Sequence, residues 1–169
     1  MPIVSADIHQ RLSGGALNSD PHASLGGIKS STQIVDNTFE NLFRNVPGDE
    51  SAVGSTKYRG VYVHNDHGTL TLKSTKIWFE AQTSSPDTSV EMALAGEGLN
   101  ATMETIADED TAPVGEVFSA PANKAAGLLM GDIPPGQHFG WWCKRIVNIG
   151  AAAFAADTFV VKVEGDTDA

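Results

Sequence analysis

The residues best placed to do chemistry are His64, Asp66 and His67, gathered around one turn in VHNDHG. Imidazole nitrogens and a carboxylate are ordinary ligands for a transition metal, and a metal-dependent hydrolase would use such a set. Residues at i and i+3 across a tight turn often diverge, however, and no local third and fourth ligand is apparent. A second candidate is the acidic run Asp108, Glu109, Asp110. Calcium takes oxygen ligands, but this run lacks the alternating ligands and glycine of an EF-hand loop, so it reads as a solvated acidic loop. The single cysteine, Cys143, reads as a small core residue rather than a nucleophile. SGGA and SLGG carry neither GxxxxGK[ST] nor GxGxxG, and GxSxG, HExxH and CxxC are all missing from the sequence. No catalytic, cofactor-binding or metal residue is assigned, and the chain is expected to be non-enzymatic.

Aromatic residues carry more information. Period-two alternation places Trp78 and Trp142 opposite Ile77, Phe79, Phe139 and Trp141. An outward Trp beside Lys76 and Glu80 is suited to a subunit contact or, with Tyr62, to a sugar-stacking platform. The competing expectation is that a loop or helix covers it, since a slip of one residue exchanges the faces.

These side chains need a scaffold, and its signals are β. The stretch from Gly127 to Val147 reads as apolar run, Pro134-Pro135-Gly136 break, apolar run, which predicts strand, tight connection, strand in a hairpin. Arg145 falls on the same face as Phe139, Trp141, Cys143 and Val147 and spoils an otherwise clean alternation. Strands are also predicted in YRGVYVHN, TLTLKS, TKIWFEA, SVEMAL and TFVVKVE, with a short one at Val117 and Phe118. Seven or eight strands over residues 58–169 predict an all-β, antiparallel β-sandwich, immunoglobulin-like or jelly-roll-like.

Ahead of it, residues 36–57 hold a helix stripe at Phe39, Leu42, Phe43 and Val46, capped by Asp36 to Thr38 and stopped by Pro47-Gly48. Residues 1–35 are rich in Gly, Ser, Asn and Asp, with isolated Ile8, Leu12, Leu17, Leu25 and Ile28. That stretch reads as an extended N-terminal arm, too poor in apolar area to fold alone and ordered by lying on a neighbour. On that reading, a chain lacking residues 1–33 stays soluble and β-rich.

The 169 residues suit one domain with an appendage, and 41% hydrophobic content supplies a core. A net charge of −10 argues against a general binder of nucleic acid or anionic membrane. The first residues lack a basic-then-apolar secretory pattern, so the chain is expected to stay where it is made or to leave inside a larger particle.

The phrases RLSGGALNSDPHASLGG, LFRNVPGDES, KYRGVYVHN, IADEDTAPVGEVFSAP, GDIPPGQHFGWWCKRIV and VEGDT together resemble small virion structural proteins of tailed bacteriophages. GDIPPGQ is also similar to the turn before a late strand in immunoglobulin-like domains. The resemblance implies a virion component made in the host cytoplasm, either a capsid decoration or cement protein or a tail or neck part. The implied partners are a major capsid protein or other virion proteins and further copies in a symmetric homo-oligomer. The expected interface residues are Ile8, Leu12, Leu17, Leu25, Ile28, Trp78 and Trp142.

Overall fold

β-Branched and aromatic residues fit a pleated, half-buried surface, and their runs become the strands. The computed structural model describes residues 1–167. In chain order it contains β1 (Ile8–Leu12), β2 (Gly26–Gly27), α1 (Gly48–Val53), β3 (Ser55–Asn65), β4 (Leu72–Ala81) and β5 (Thr88–Leu99). These are followed by β6 (Met103–Thr105), β7 (Leu128–Ile133), β8 (His138–Val147) and β9 (Val160–Asp166). A four-stranded sheet in the order β1-β3-β8-β5 packs on a three-stranded sheet in the order β7-β4-β9, giving an all-β antiparallel sandwich. A two-stranded ribbon, β2-β6, covers the outer face of the larger sheet.

Alternation decides which residues enter each core. Val61 and Val63 of β3, Trp141 and Cys143 of β8 and Val90 and Met92 of β5 face Ile77 and Phe79 of β4 and Met130 and Ile133 of β7. Fully burying such a side chain stabilises the fold by roughly 1.5–3 kcal/mol. The opposite phase of the same strands supplies a second core, in which Tyr58, Tyr62 and Trp142 meet Ala95, Met103 and Ile106.

Several expectations need correction. The Pro134-Pro135-Gly136 turn joins no hairpin, because β7 pairs with β4 whereas β8 pairs with β3 and β5. It is a corner between the sheets, held by Asn65. The Asn65 amide donates to the carbonyls of Ile133 and Leu70, and its backbone carbonyl accepts from Gly136. Next, the runs 69–74 and 75–81 do not make two strands: residues 72–81 form the single strand β4, with register shifts near Thr75. At Val117 and Phe118 there is no strand, only a bridge from Ser119 to Met92.

The remaining corrections concern the first 47 residues. β1 pairs along its length with β3, and Leu12 is buried. Residues 30–34 then bond to the outer edge of β1, Leu12 N–H to Thr32 and Ile34 N–H to Gln10. The expected arm therefore lies on its own sandwich. Hydroxyls supply what apolar area does not: Ser13 and Ser24, both buried, each donate to the carbonyl of Gly60. The helix expected over Phe39 to Val46 does not form, and the short helix sits at Gly48–Val53. Asn37 and Glu40 have positive φ, which breaks a helical run. From β3 to β9, successive strands of the two main sheets always change sheet, so the side-by-side consecutive strands of an immunoglobulin sheet are missing there.

Candidate functional site

A glycine-poor surface could not bring the N-terminal segment this close to the sheet. A Cβ on Gly26 would stand 1.8 Å from the Glu104 carbonyl oxygen and 2.9 Å from the Trp142 ring. Gly60 likewise leaves room for Gly26 N and Ser13 Oγ. Tyr62 then ties the layers together, its hydroxyl donating to Gly27 O (2.6 Å) and accepting from Met103 N (2.8 Å). Residues 13–47 thus form a fixed layer on the sandwich. Within it Leu17, Val35, Phe39 and Ile28 are exposed by 90, 63, 71 and 57% respectively. Val35 and Phe39 border a shallow groove that Leu12, Pro21, His22 and Ile34 also line.

The layer's far end is fastened by two buried arginines. Arg59 and Arg145 lie on the inward phase of β3 and β8, and the Phe43 ring sits under both guanidiniums at 5.3 and 5.0 Å. Arg59 Nε donates to Leu42 O (3.1 Å), and Arg145 Nη1 donates to Arg44 O (2.6 Å). The Leu42 carbonyl is one that a helix over 39–46 would engage for itself, which is one reason its apolar spacing misleads. Arg59 also pairs with Glu109 and Arg145 with Glu50. Partial burial alone would raise the Glu109 carboxyl, but hydrogen bonds and charge from Arg59 and Lys57 outweigh it and hold it below the usual range.

Across the outer face of the larger sheet runs a row of three histidines. Antiparallel register sets His9 of β1 opposite His64 of β3, and His64 opposite His138 of β8. Asp66 reaches two of them, His64 Nε2 at 3.3 Å and His9 Nε2 at 3.4 Å. Tyr62 meets the His138 ring edge-on at 4.9 Å. Burial, then the charges of Lys29 and His64, depresses the His138 pKa to about 4. His64 is lowered by burial and then by Lys29 and Arg11, which Asp66 only partly opposes. Its Nδ1 is buried without a hydrogen-bond partner.

The residues singled out in the sequence scatter over these features. His67 turns away from His64 and accepts from Thr69 N and Leu70 N through its Nδ1. Among the described residues no group of three or more His, Cys, Asp or Glu is arranged to hold a metal ion. Asp108 closes its own turn with Thr111, while Glu109 and Asp110 bind Lys57. Cys143 is buried, and burial pushes its thiol pKa far up. Trp78 and Trp142 keep their expected phase, yet they are only 3 and 0% exposed. Neither offers a ring to a sugar or a subunit: the β2-β6 ribbon covers Trp142, while Lys162 lies over Trp78, whose indole donates to Glu80. Of the apolar residues in the first 35, Leu12 is buried, Ile8 and Leu25 pack against the two cores, and Leu17 and Ile28 are exposed.

Arg59, His9 and His138 escaped sequence reasoning, and Phe43 was read as part of a helix stripe rather than as a partner of two arginines. Only Arg145 left a signal, as the charge that broke an apolar alternation. No family model, no curated protein and no solved structure matches the chain.

Proposed function

We propose that the chain is a virion structural protein that decorates or cements a capsid shell, docking through its N-terminal layer. One observation carries this reading: Leu17, Ile28, Val35 and Phe39 stand exposed on a segment whose backbone is firmly bonded to the sandwich. Large apolar side chains held in water at fixed positions mark an interaction surface. Because the layer is already ordered, docking does not bear the entropy of folding an arm, which favours a tighter contact per unit of area. The net charge of −10 suits a solvent-facing outer position better than one against packaged DNA. Val53 and Ile149, exposed beside each other at Gly54, offer a second apolar spot for contacts between copies.

The test uses shells assembled without this protein. The wild-type chain is expected to sediment with them. The double variant Leu17→Ser/Phe39→Ser, unchanged in melting temperature, is expected to stay in the supernatant. Equal sedimentation of the folded variant refutes the assignment of this face.

A further inference from the structure

The two main sheets have four edge strands, and the chain deals with three of them itself. An uncovered edge is a row of unpaired N–H and C=O groups that invites another strand. β1 is covered by residues 30–34, with Leu12 N–H bonded to Thr32 O and Ile34 N–H to Gln10 O. Along β5 the Gln82 amide takes both backbone groups of Val90 (3.1 and 3.0 Å). Ser119 exchanges two bonds with Met92, and Glu116 accepts from Gly96 N (2.8 Å). β7 is kinked by Gly131 at φ +82° and by register shifts against β4, a device that turns an edge away from neighbours.

β9 has no such cover. Among the described residues its only backbone partner is β4. Its seven residues alternate, so that Val161 and Val163 pack against the core while Lys162 and Glu164 point outward. The two valines stay half-buried, unlike Val61 and Val63 in the middle of the larger sheet. Beside them opens a groove lined by Ile3, Ile8, Leu72 and Val163. The apolar core thus reaches this edge without being closed over.

We infer that β9 pairs antiparallel with β9 of a second copy across a two-fold axis at Val163, joining two three-stranded sheets into one. The sequence of the strand selects this register. Alternate residues of an edge strand direct their N–H and C=O outward, so in a symmetric pair the axis passes at a residue and residues of like parity face each other. An axis at Lys162 sets Lys against Lys, and one at Glu164 sets Glu against Glu. Axes nearer either end leave part of the strand unpaired. An axis at Val163, the midpoint of the seven residues, engages the whole strand and sets each Lys162 opposite the other copy's Glu164. Opposite charges directly across a ladder attract, and like charges there repel. Both side chains are accessible, Lys162 at 51% and Glu164 at 45% exposure, and the surface pairs they make with Glu80 and Lys124 contribute little to hold them back. The two Val163 side chains then meet at the axis and cover the open end of each core. This pairing is independent of what the N-terminal layer docks against.

Sedimentation velocity of the intact chain from micromolar to near-millimolar concentration, with hydrogen–deuterium exchange at both ends of that range, tests the pairing. The wild-type chain is expected to dimerise reversibly, and its β9 amides to gain protection as the concentration rises. Lys162→Glu alone, or Glu164→Lys alone, turns two attractive cross-strand pairs into two repulsive ones and should raise the dimer Kd roughly tenfold. The charge swap Lys162→Glu/Glu164→Lys restores opposite signs across the axis and should recover most of that loss. A monomer at every concentration, single variants that dimerise as the wild type does, or a double variant no better than the singles overturns the pairing. So does a dimer that leaves β9 unprotected, as one built on Val53 and Ile149 would.

Discussion

Removing one carboxylate should cost more than removing the ion pair to which it belongs. Arg59 is fully buried, whereas the Glu109 side chain remains 33% exposed. In the Glu109→Ala variant the Arg59 guanidinium keeps the carbonyls of Leu42 and Tyr58 but loses its counter-ion. Stranding a buried charge costs about 3–5 kcal/mol, and the lower end applies here because water can enter where Glu109 stood. Against a total stability of about 5–15 kcal/mol, a loss of about 3 is large but survivable. In Arg59→Met/Glu109→Ala no charge is stranded and the stem volume is kept, so the double variant should be at least as stable as the single one. Urea unfolding at neutral pH measures both. The isosteric Glu109→Gln adds a pH signature: the depressed carboxyl pKa means that the pair's contribution is present above the ordinary 4.5 and is lost as pH falls through the lower folded value. The gap between wild type and Glu109→Gln should accordingly narrow in acid. A loss under about 1 kcal/mol for Glu109→Ala, or a double variant weaker than the single by a full additive step, refutes the buried-charge argument.

Two other outcomes follow from the same packing. Gly26→Ala combines a backbone clash with a φ of +87°, so it should lower stability by about 1–3 kcal/mol. Gly48→Ala, in open space within α1, should be neutral or slightly stabilising, and thermal unfolding of the two compares them directly. Deleting residues 1–35 takes Leu12 and β1 from the larger sheet and uncovers Trp142, so the truncated chain should lose its cooperative transition by circular dichroism. A sharp, wild-type-like melt would restore the view of that segment as a detachable arm.

The strand faces were legible because the side-chain period of two is local. The phases of β3, β4 and β8 follow directly from YRGVYVHN, TKIWFEA and HFGWWCKRIV. What lies above a face is not local. Trp142 points outward as its phase requires, yet the ribbon that hides it comes from residues far away in the chain. The same limit explains the Pro-Pro-Gly corner, since a turn signal reports that the chain reverses and not which strands will then pair. Phe39, Leu42, Phe43 and Val46 carry helical spacing, but Arg59 takes the Leu42 carbonyl that such a helix needs, and the positive φ of Glu40 breaks its run. Of the histidine row only His64 stood out in the sequence, beside Asp66 in its turn, because His9 and His138 join it only through sheet register.

The strict alternation of strands between the sheets also bears on how the chain must acquire its structure. β8 is the central partner of both β3 and β5, so on a ribosome the larger sheet stays incomplete until residues near Val147 have emerged. With contacts this distant in sequence, loop-closure entropy precedes any reward, and refolding belongs in the millisecond-to-second range rather than the microsecond one. Until then the half-made strands present open edges to one another, which makes synthesis, more than the finished fold, the stage at which this protein is open to aggregation.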